Sequence, residues 1–152
     1  VSTCEACDLT SGRRDLPGGL IHATEHWRVE HCIGPLGLGS LVVKPKRHVT
    51  AVAELTDEEA AELGPLLQRA SAIAGQLVAA QQVYNCLWSH AGGEPGHIHY
   101  VVQPVTREQM QTHDSHGPAL QVAMFGAQQH ADRKAVTDIA AQARQAFAEE
   151  RS

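Results

Sequence analysis

Apolar and polar positions alternate with two periods along this chain. Between Leu20 and His31, Trp27 and Val29 alternate with polar neighbours, the pattern of a half-buried strand. Gly34-Pro35-Leu36-Gly37-Leu38-Gly39 follows as a turn-rich connection. The run Ser40 to Val43 reads as a second strand, stopped by Lys44-Pro45, so a hairpin over about 25–44 is predicted. Thr56-Asp57-Glu58-Glu59 is a capping box. It opens a helix to about Ala80, whose apolar positions Leu63, Leu66, Leu67, Ala70, Ile73, Ala74 and Leu77 keep the helical period. Gly64-Pro65 near its start predicts either a kink or a start delayed to Pro65.

The second half repeats the theme. Val83 to Trp88 and His97 to Val102 read as strands, joined by a five-residue turn, Gly92-Gly93-Glu94-Pro95-Gly96, with Pro104 ending the second. Glu108 to Pro118 reads as a polar loop, and Leu120 to Phe125 as short helix or strand. Ala131 to Glu150 is Ala-rich with Val136, Ile139, Ala140, Ala143, Ala146 and Phe147 on one stripe, which predicts a terminal helix. The order β-β-α-β-β-α predicts an α+β fold with an antiparallel sheet. The length of 152 residues fits one domain spanning 1–152, with 105–152 as loop and final helix.

Composition narrows the function classes. The net charge of -5 argues against an extended nucleic-acid surface, which would be basic. No apolar run is long enough to span a membrane, and no secretion signal is visible at the start. Only 4% of residues are aromatic, so Leu, Val, Ile and Ala must fill the core, with Trp27 and Trp88 read as core residues. Cys4, Cys7, Cys32 and Cys86 allow three disulfide pairings, but a chain of this size does not need such staples. Closely spaced thiols suit a metal or redox site in a reducing compartment, so a cytoplasmic location is expected.

The chemistry concentrates in two places. In a strand, residues i and i+2 share a face about 6.7 Å apart. His97, His99, Val101 and Gln103 therefore line one side, and Ile98, Tyr100 and Val102 the other. Two imidazoles on one face beside a glycine-rich turn can act as nucleophile, base or ligand. The second place is the C-x-x-C of Cys4 and Cys7, a metal-knuckle spacing that a redox pair or two free thiols would equally satisfy. His48 and His97 are candidates to complete a two-Cys, two-His site among the several histidines available. Lys44, Lys46 and Arg47 form a small basic cluster that either solvates a strand end or attracts an anion. No glycine fingerprint for dinucleotides, phosphate-binding lysine loop or serine elbow is found.

The run Leu41-Val42-Val43-Lys44-Pro45-Lys46-Arg47-His48, followed later by His97-Ile98-His99, resembles the histidine-triad (HIT) family of nucleotide hydrolases and transferases. The likeness extends over 4–104. It implies a HIT-like antiparallel sheet with flanking helices and an N-terminal zinc knuckle, usually as a homodimer. Similarity to a zinc-carrying bacterial branch implies a structural zinc held by Cys4, Cys7, His48 and His97. It further implies a nucleotide phosphohydrolase or nucleotidyltransferase, in which His99 attacks an α-phosphate and forms a nucleotidyl-histidine. The phosphate would rest on Gly92, Gly93, Glu94 and Gly96, with Ser89, Gln103, Cys32 and Ile33 completing the pocket.

The departures from that family's pattern are specific. Val101 stands where the third His of His-x-His-x-His belongs, and valine can neither carry a proton nor donate to phosphate. Gln103 lies two residues later on the same face. Gly93-Glu94 replaces the usual Gln-Ser or Gln-Thr, which puts a carboxylate beside a phosphate site. Cys32-Ile33 replaces an acidic-apolar pair near the ribose, Gly39-Ser40 replaces Gly-His, and Ser89, with Asn85 nearby, stands for an Asn. His90, His113 and His116 are candidates for the missing acid. Three readings compete: turnover of a nucleotide whose leaving group needs little acid, another reaction at His99, or a non-catalytic nucleotide- or small-ligand-binding module with a structural zinc.

Overall fold

The computed structural model describes residues 4–149. A seven-residue helix, α1 (Glu5–Ser11), forms where the sequence predicts only a knuckle. Cys4 caps it, and Gly12 ends it at φ 77°, a left-handed conformation that suits glycine. The strand expected over Leu20 to His31 is two strands, β1 (Leu20–Ala23) and β2 (Trp27–His31). Thr24 makes the break: its N–H donates to Trp27 O at 3.0 Å and its hydroxyl accepts from Trp27 N–H at 3.0 Å. β3 (Leu41–Pro45) pairs antiparallel with β2, from Trp27↔Pro45 to His31↔Leu41, which gives the predicted hairpin.

Helix α2 (Asp57–Leu77) starts at its capping box and carries Pro65 inside, so the delayed start at Pro65 does not occur. Both halves of the box form, with Thr56 Oγ1 accepting from Glu59 N–H and Glu59 Oε2 accepting from Thr56 N–H. β4 (Gln82–Ala91) and β5 (Glu94–Val105) are longer than predicted. Their connection is not a five-residue turn but Gly92-Gly93 alone, at φ 61° and 85°. Two successive positive φ values match the twist of the flanking strands, and glycine adopts them without a Cβ penalty. β5 also runs through Pro104, because pairing with β3 ends at Val102 and the missing N–H falls where β4 is the only neighbour.

The predicted polar loop after β5 is helical instead: α3 (Arg107–His113) and then α4 (Gly117–Ala127). The overlooked signal is a second capping box, Thr106 with Gln109. The final helix, α5 (Arg133–Glu149), lies within the predicted range, and Glu150 lies outside the described residues.

The five strands form one antiparallel sheet in the order β1-β2-β3-β5-β4, so the α+β class holds. Alternation along β5 divides the interior. Tyr100 and Val102 face a core with Trp27, Val43, Ile73 and Phe147, under α2 and α5. On the opposite face Val101 and Val105 pack with Leu36, Leu120 and Met124, under α4. That second face is the one that carries His97 and His99. Among the described residues, no helix is long and apolar enough to cross a membrane.

Candidate metal centre

Cys4 caps α1 and Cys7 lies in its first turn, and the capping bond, Cys7 N–H to Cys4 Sγ at 3.5 Å, keeps the two residues together. Opposite them, His48 follows the end of β3, and His97 stands on β5 beside Pro45. The gaps are short: Cys4 Sγ to His97 Nδ1 is 3.7 Å, Cys7 Sγ to His97 Nδ1 is 3.5 Å, and Cys7 Sγ to His48 Nδ1 is 3.4 Å. The four ligating atoms lie within 4.8 Å of one another, and no disulfide joins the cysteines.

These distances discriminate between readings. A tetrahedral ion with Zn–S of about 2.3 Å and Zn–N of about 2.0–2.1 Å sets S···N edges of about 3.6 Å. The observed S···N gaps of 3.4, 3.5 and 3.7 Å fall around that value. His97 is oriented for the task. Its Nε2–H donates to the Pro45 carbonyl at 2.9 Å, which leaves the Nδ1 lone pair facing both thiols. Burial holds its pKa below the usual histidine range, so the ring is neutral, as a ligand must be. Burial, and then Cys4, push the Cys7 thiol up. A cation between the four groups would reverse that shift and draw both thiols to thiolates. Two thiols and two imidazoles thus fit a closed, zinc-type site with no position left for water.

Beside the cluster lies a charge pair the sequence does not announce. Lys44 and Glu30 are 1% and 2% exposed, yet Lys44 Nζ stands 2.5 Å from Glu30 Oε1. The basic cluster of Lys44, Lys46 and Arg47 is therefore dispersed. Lys44 points inward, Lys46 Nζ donates to Thr24 O at 2.6 Å, and Arg47 forks onto Glu59 at 3.0 and 2.9 Å. A second donor group, Glu25, His26 and Glu62, joins the β1–β2 turn to α2. There His26 Nδ1 meets Glu62 Oε1 at 2.6 Å, and this carboxylate raises the imidazole pKa.

The other predicted site residues scatter. Gly92, Gly93 and Glu94 stand exposed at the hairpin tip, Gly96 is buried, and Ser89 is half-buried in β4. Gln103 is buried under α4, where Nε2–H contacts Met124 Sδ at 3.3 Å and Oε1 accepts from Gln121 at 3.0 Å. Cys32 and Ile33 line a cleft of about 200 Å³ with Pro17, Gly34, His130 and Arg133. A neighbouring cleft of about 220 Å³ holds His113 beside Pro35, Gly37, Glu108 and Met124. His99 lines neither. It is half-buried, with Nδ1–H donating to His97 O at 3.2 Å. Trp27 is fully buried, and Trp88 packs on Phe125 with ring centroids 5.3 Å apart.

Nucleotidyl transfer through His99 is therefore corrected. The first imidazole of the would-be triad, His97, faces Cys4, Cys7 and His48 in a metal-binding cluster. The third position, Val101, is a core residue packed with Leu120 and Met124 beneath α4, not a vacancy that another proton donor fills. The resemblance implied catalysis at His99, but side-chain placement assigns His97 to the metal cluster and Val101 to packing.

No family model and no curated protein matches the chain. Solved structures do. A Zn-bound histidine triad family protein from Mycobacterium smegmatis superimposes with a TM-score of 0.69 at 20% identity, over 97% of this chain and 95% of its own. A hypothetical histidine triad nucleotide-binding protein from Sulfolobus tokodaii gives a TM-score of 0.72 at 17% identity, over 96% and 93%. A hypothetical protein from Leishmania major is 31% identical over 70% of this chain and 75% of its own, with a TM-score of 0.58. The chain has the histidine-triad fold, with a Cys/Cys/His/His cluster able to coordinate a metal.

Proposed function

We propose that this protein is a non-catalytic HIT-like module that binds a nucleotide or a related small phosphate ligand and is braced by a structural zinc. The observation that carries the reading is the cluster of Cys4, Cys7, His48 and His97, which takes the first triad imidazole into a closed donor set. Zinc there would tie α1 to β3 and β5; it supplies structure, since all four coordination positions belong to the protein.

The ligand would enter the cleft at Cys32 and Ile33, with His130 and Arg133 at its rim. Its volume of about 200 Å³ is below the roughly 300 Å³ at which pockets enclose drug-sized ligands, so it would hold only part of a nucleotide. The chain would work as one HIT-like domain, in a reducing, cytoplasmic setting that keeps the thiols from forming disulfides. It would act as a homodimer. The ten-residue β4 is an edge strand whose outer rim is available for pairing, and Leu87 on it is 42% exposed.

The test combines metal analysis with ligand titration. The purified protein is expected to carry one zinc per chain, to bind nucleoside monophosphates by calorimetry, and to release no product over hours. Nucleotide turnover by the zinc-loaded protein would overturn the non-catalytic reading. Failure to bind any nucleoside or nucleotide would overturn the ligand class.

A further inference from the structure

Two opposite charges buried side by side need an explanation. Removing an ammonium and a carboxylate from water carries a desolvation penalty that their mutual attraction often fails to recover. Lys44 and Glu30 stand in that position on adjacent strands, on the sheet face that carries His97. Glu30 has Arg28 as a second neighbour, with Oε2 3.9 Å from Arg28 Nε, too far for a hydrogen bond; both atoms are buried and lack a hydrogen-bond partner. A pair built only for stability would be better satisfied.

What the pair accomplishes is visible in the second contact of the same Lys44 ammonium. Its Nζ also donates to the carbonyl of Ala6 at 3.0 Å. Ala6 precedes Cys7 and lies within α1, a helix too short to persist alone and with only Leu9 buried. The knuckle has little apolar surface with which to dock. A charged donor, aimed by a buried carboxylate, holds its backbone against the sheet instead.

We infer that Lys44, oriented by Glu30, is a positioning residue for the metal site: a latch that docks α1 so that Cys4 and Cys7 face His48 and His97 before the ion arrives. The inference rests on the proposed zinc reading and adds to it a residue outside the donor set. An ion entering a docked site meets four donors already gathered. Without the latch, part of the binding free energy is spent on ordering α1, so affinity falls. Groups that orient ligands from behind typically contribute 10- to 100-fold to metal affinity.

The test uses the full chain. Lys44→Met alone strands the Glu30 carboxylate, so the informative protein is the double variant Lys44→Met, Glu30→Gln, which has neither buried charge nor the bond to Ala6. Zinc affinity is measured by competition with a chromophoric chelator, and amide exchange over residues 5–11 is followed in the metal-free state. The double variant is expected to bind zinc 10- to 100-fold more weakly and to lose protection in α1, while its metal-free melting temperature stays close to that of the wild type. Equal zinc affinity in the two proteins overturns the latch, as does a loss of metal-free stability that leaves affinity unchanged. A wild type that binds no zinc overturns the metal reading itself.

Discussion

The carbonyl of Pro45 accepts Nε2–H of His97 at 2.9 Å, and this one bond decides which ring nitrogen faces the thiols. Proline ends β3, so its carbonyl serves a side chain, and the imidazole is held with Nδ1 toward Cys4 and Cys7. Removing metal with a chelator should therefore loosen α1 while leaving the sheet intact. His97→Gln should lower zinc occupancy well below one per chain. At free zinc 100-fold above the dissociation constant, binding adds about 2.7 kcal/mol to stability, and the variant should lose most of that. Metal content by mass spectrometry and melting curves with and without chelator check both.

Val101 is packed as a core residue, and this too can be measured. Val101→His would restore the triad spelling but place an imidazole among Leu36, Leu120 and Met124. An unsatisfied polar group there should cost about 1–3 kcal/mol, with no nucleotide turnover gained. Leu120→Ala, on the α4 side of the same contact, should cost about 2–5 kcal/mol. Denaturant melts give both values. Turnover appearing in Val101→His would show that position 101 opens onto a phosphate site after all.

Glu59 links the capping box to the segment that carries His48. The Arg47 guanidinium, and then the Thr56 N–H, lower its carboxyl pKa to about 2 from an ordinary 4.5. A depressed carboxylate pKa stabilises the fold above the ordinary value, and the contribution is lost as pH falls from about 4.5 toward 2. Glu59→Gln should therefore destabilise the protein near neutrality and flatten its acid limb over that window. Acid titrations followed by circular dichroism, wild type against variant, test this; parallel curves would show that the Arg47 pair contributes nothing.

The sequence shows its regular elements wherever a local signal is sufficient. The Thr56 capping box locates the start of α2, and alternation along β5 places His97, His99, Val101 and Gln103 on one face. The four metal donors were nameable because C-x-x-C and the residues after Pro45 each carry a local spacing, with the family likeness joining them. What was not legible depends on contacts distant in the chain. Lys44 reads as one of three surface cations, and only its burial opposite Glu30 and Ala6 reveals otherwise. Val101 reads as a missing histidine because nothing in strand periodicity announces that α4 will cover it. The Thr106–Gln109 box was an available signal, masked by the polar composition of the segment after it.

His31 gives the last test, because it connects the sheet to both clefts. Its ring is 2% exposed and bridges two backbone groups: Nδ1–H donates to Cys32 O at 2.8 Å, and Nε2 accepts from Gly39 N–H at 2.9 Å. The bridge closes the 32–39 segment, which contributes Cys32, Ile33 and Gly34 to one cleft and Pro35 and Gly37 to the other. Only the neutral ring can accept from Gly39. Burial accordingly holds its pKa below the ordinary 6.5. Since the unfolded chain then binds the proton more readily, stability should be complete above pH 6.5 and fall as pH drops below it. His31→Gln can donate and accept at the same two positions without titrating, so it should keep the segment closed and flatten this part of the pH profile. His31→Phe fills the space but strands a buried N–H, at a cost of about 1–3 kcal/mol. Urea midpoints from pH 7.5 to 5, compared across the three proteins, isolate the His31 contribution from that of the metal ligands. If His31→Gln keeps the same pH slope as the wild type, the slope belongs to another group.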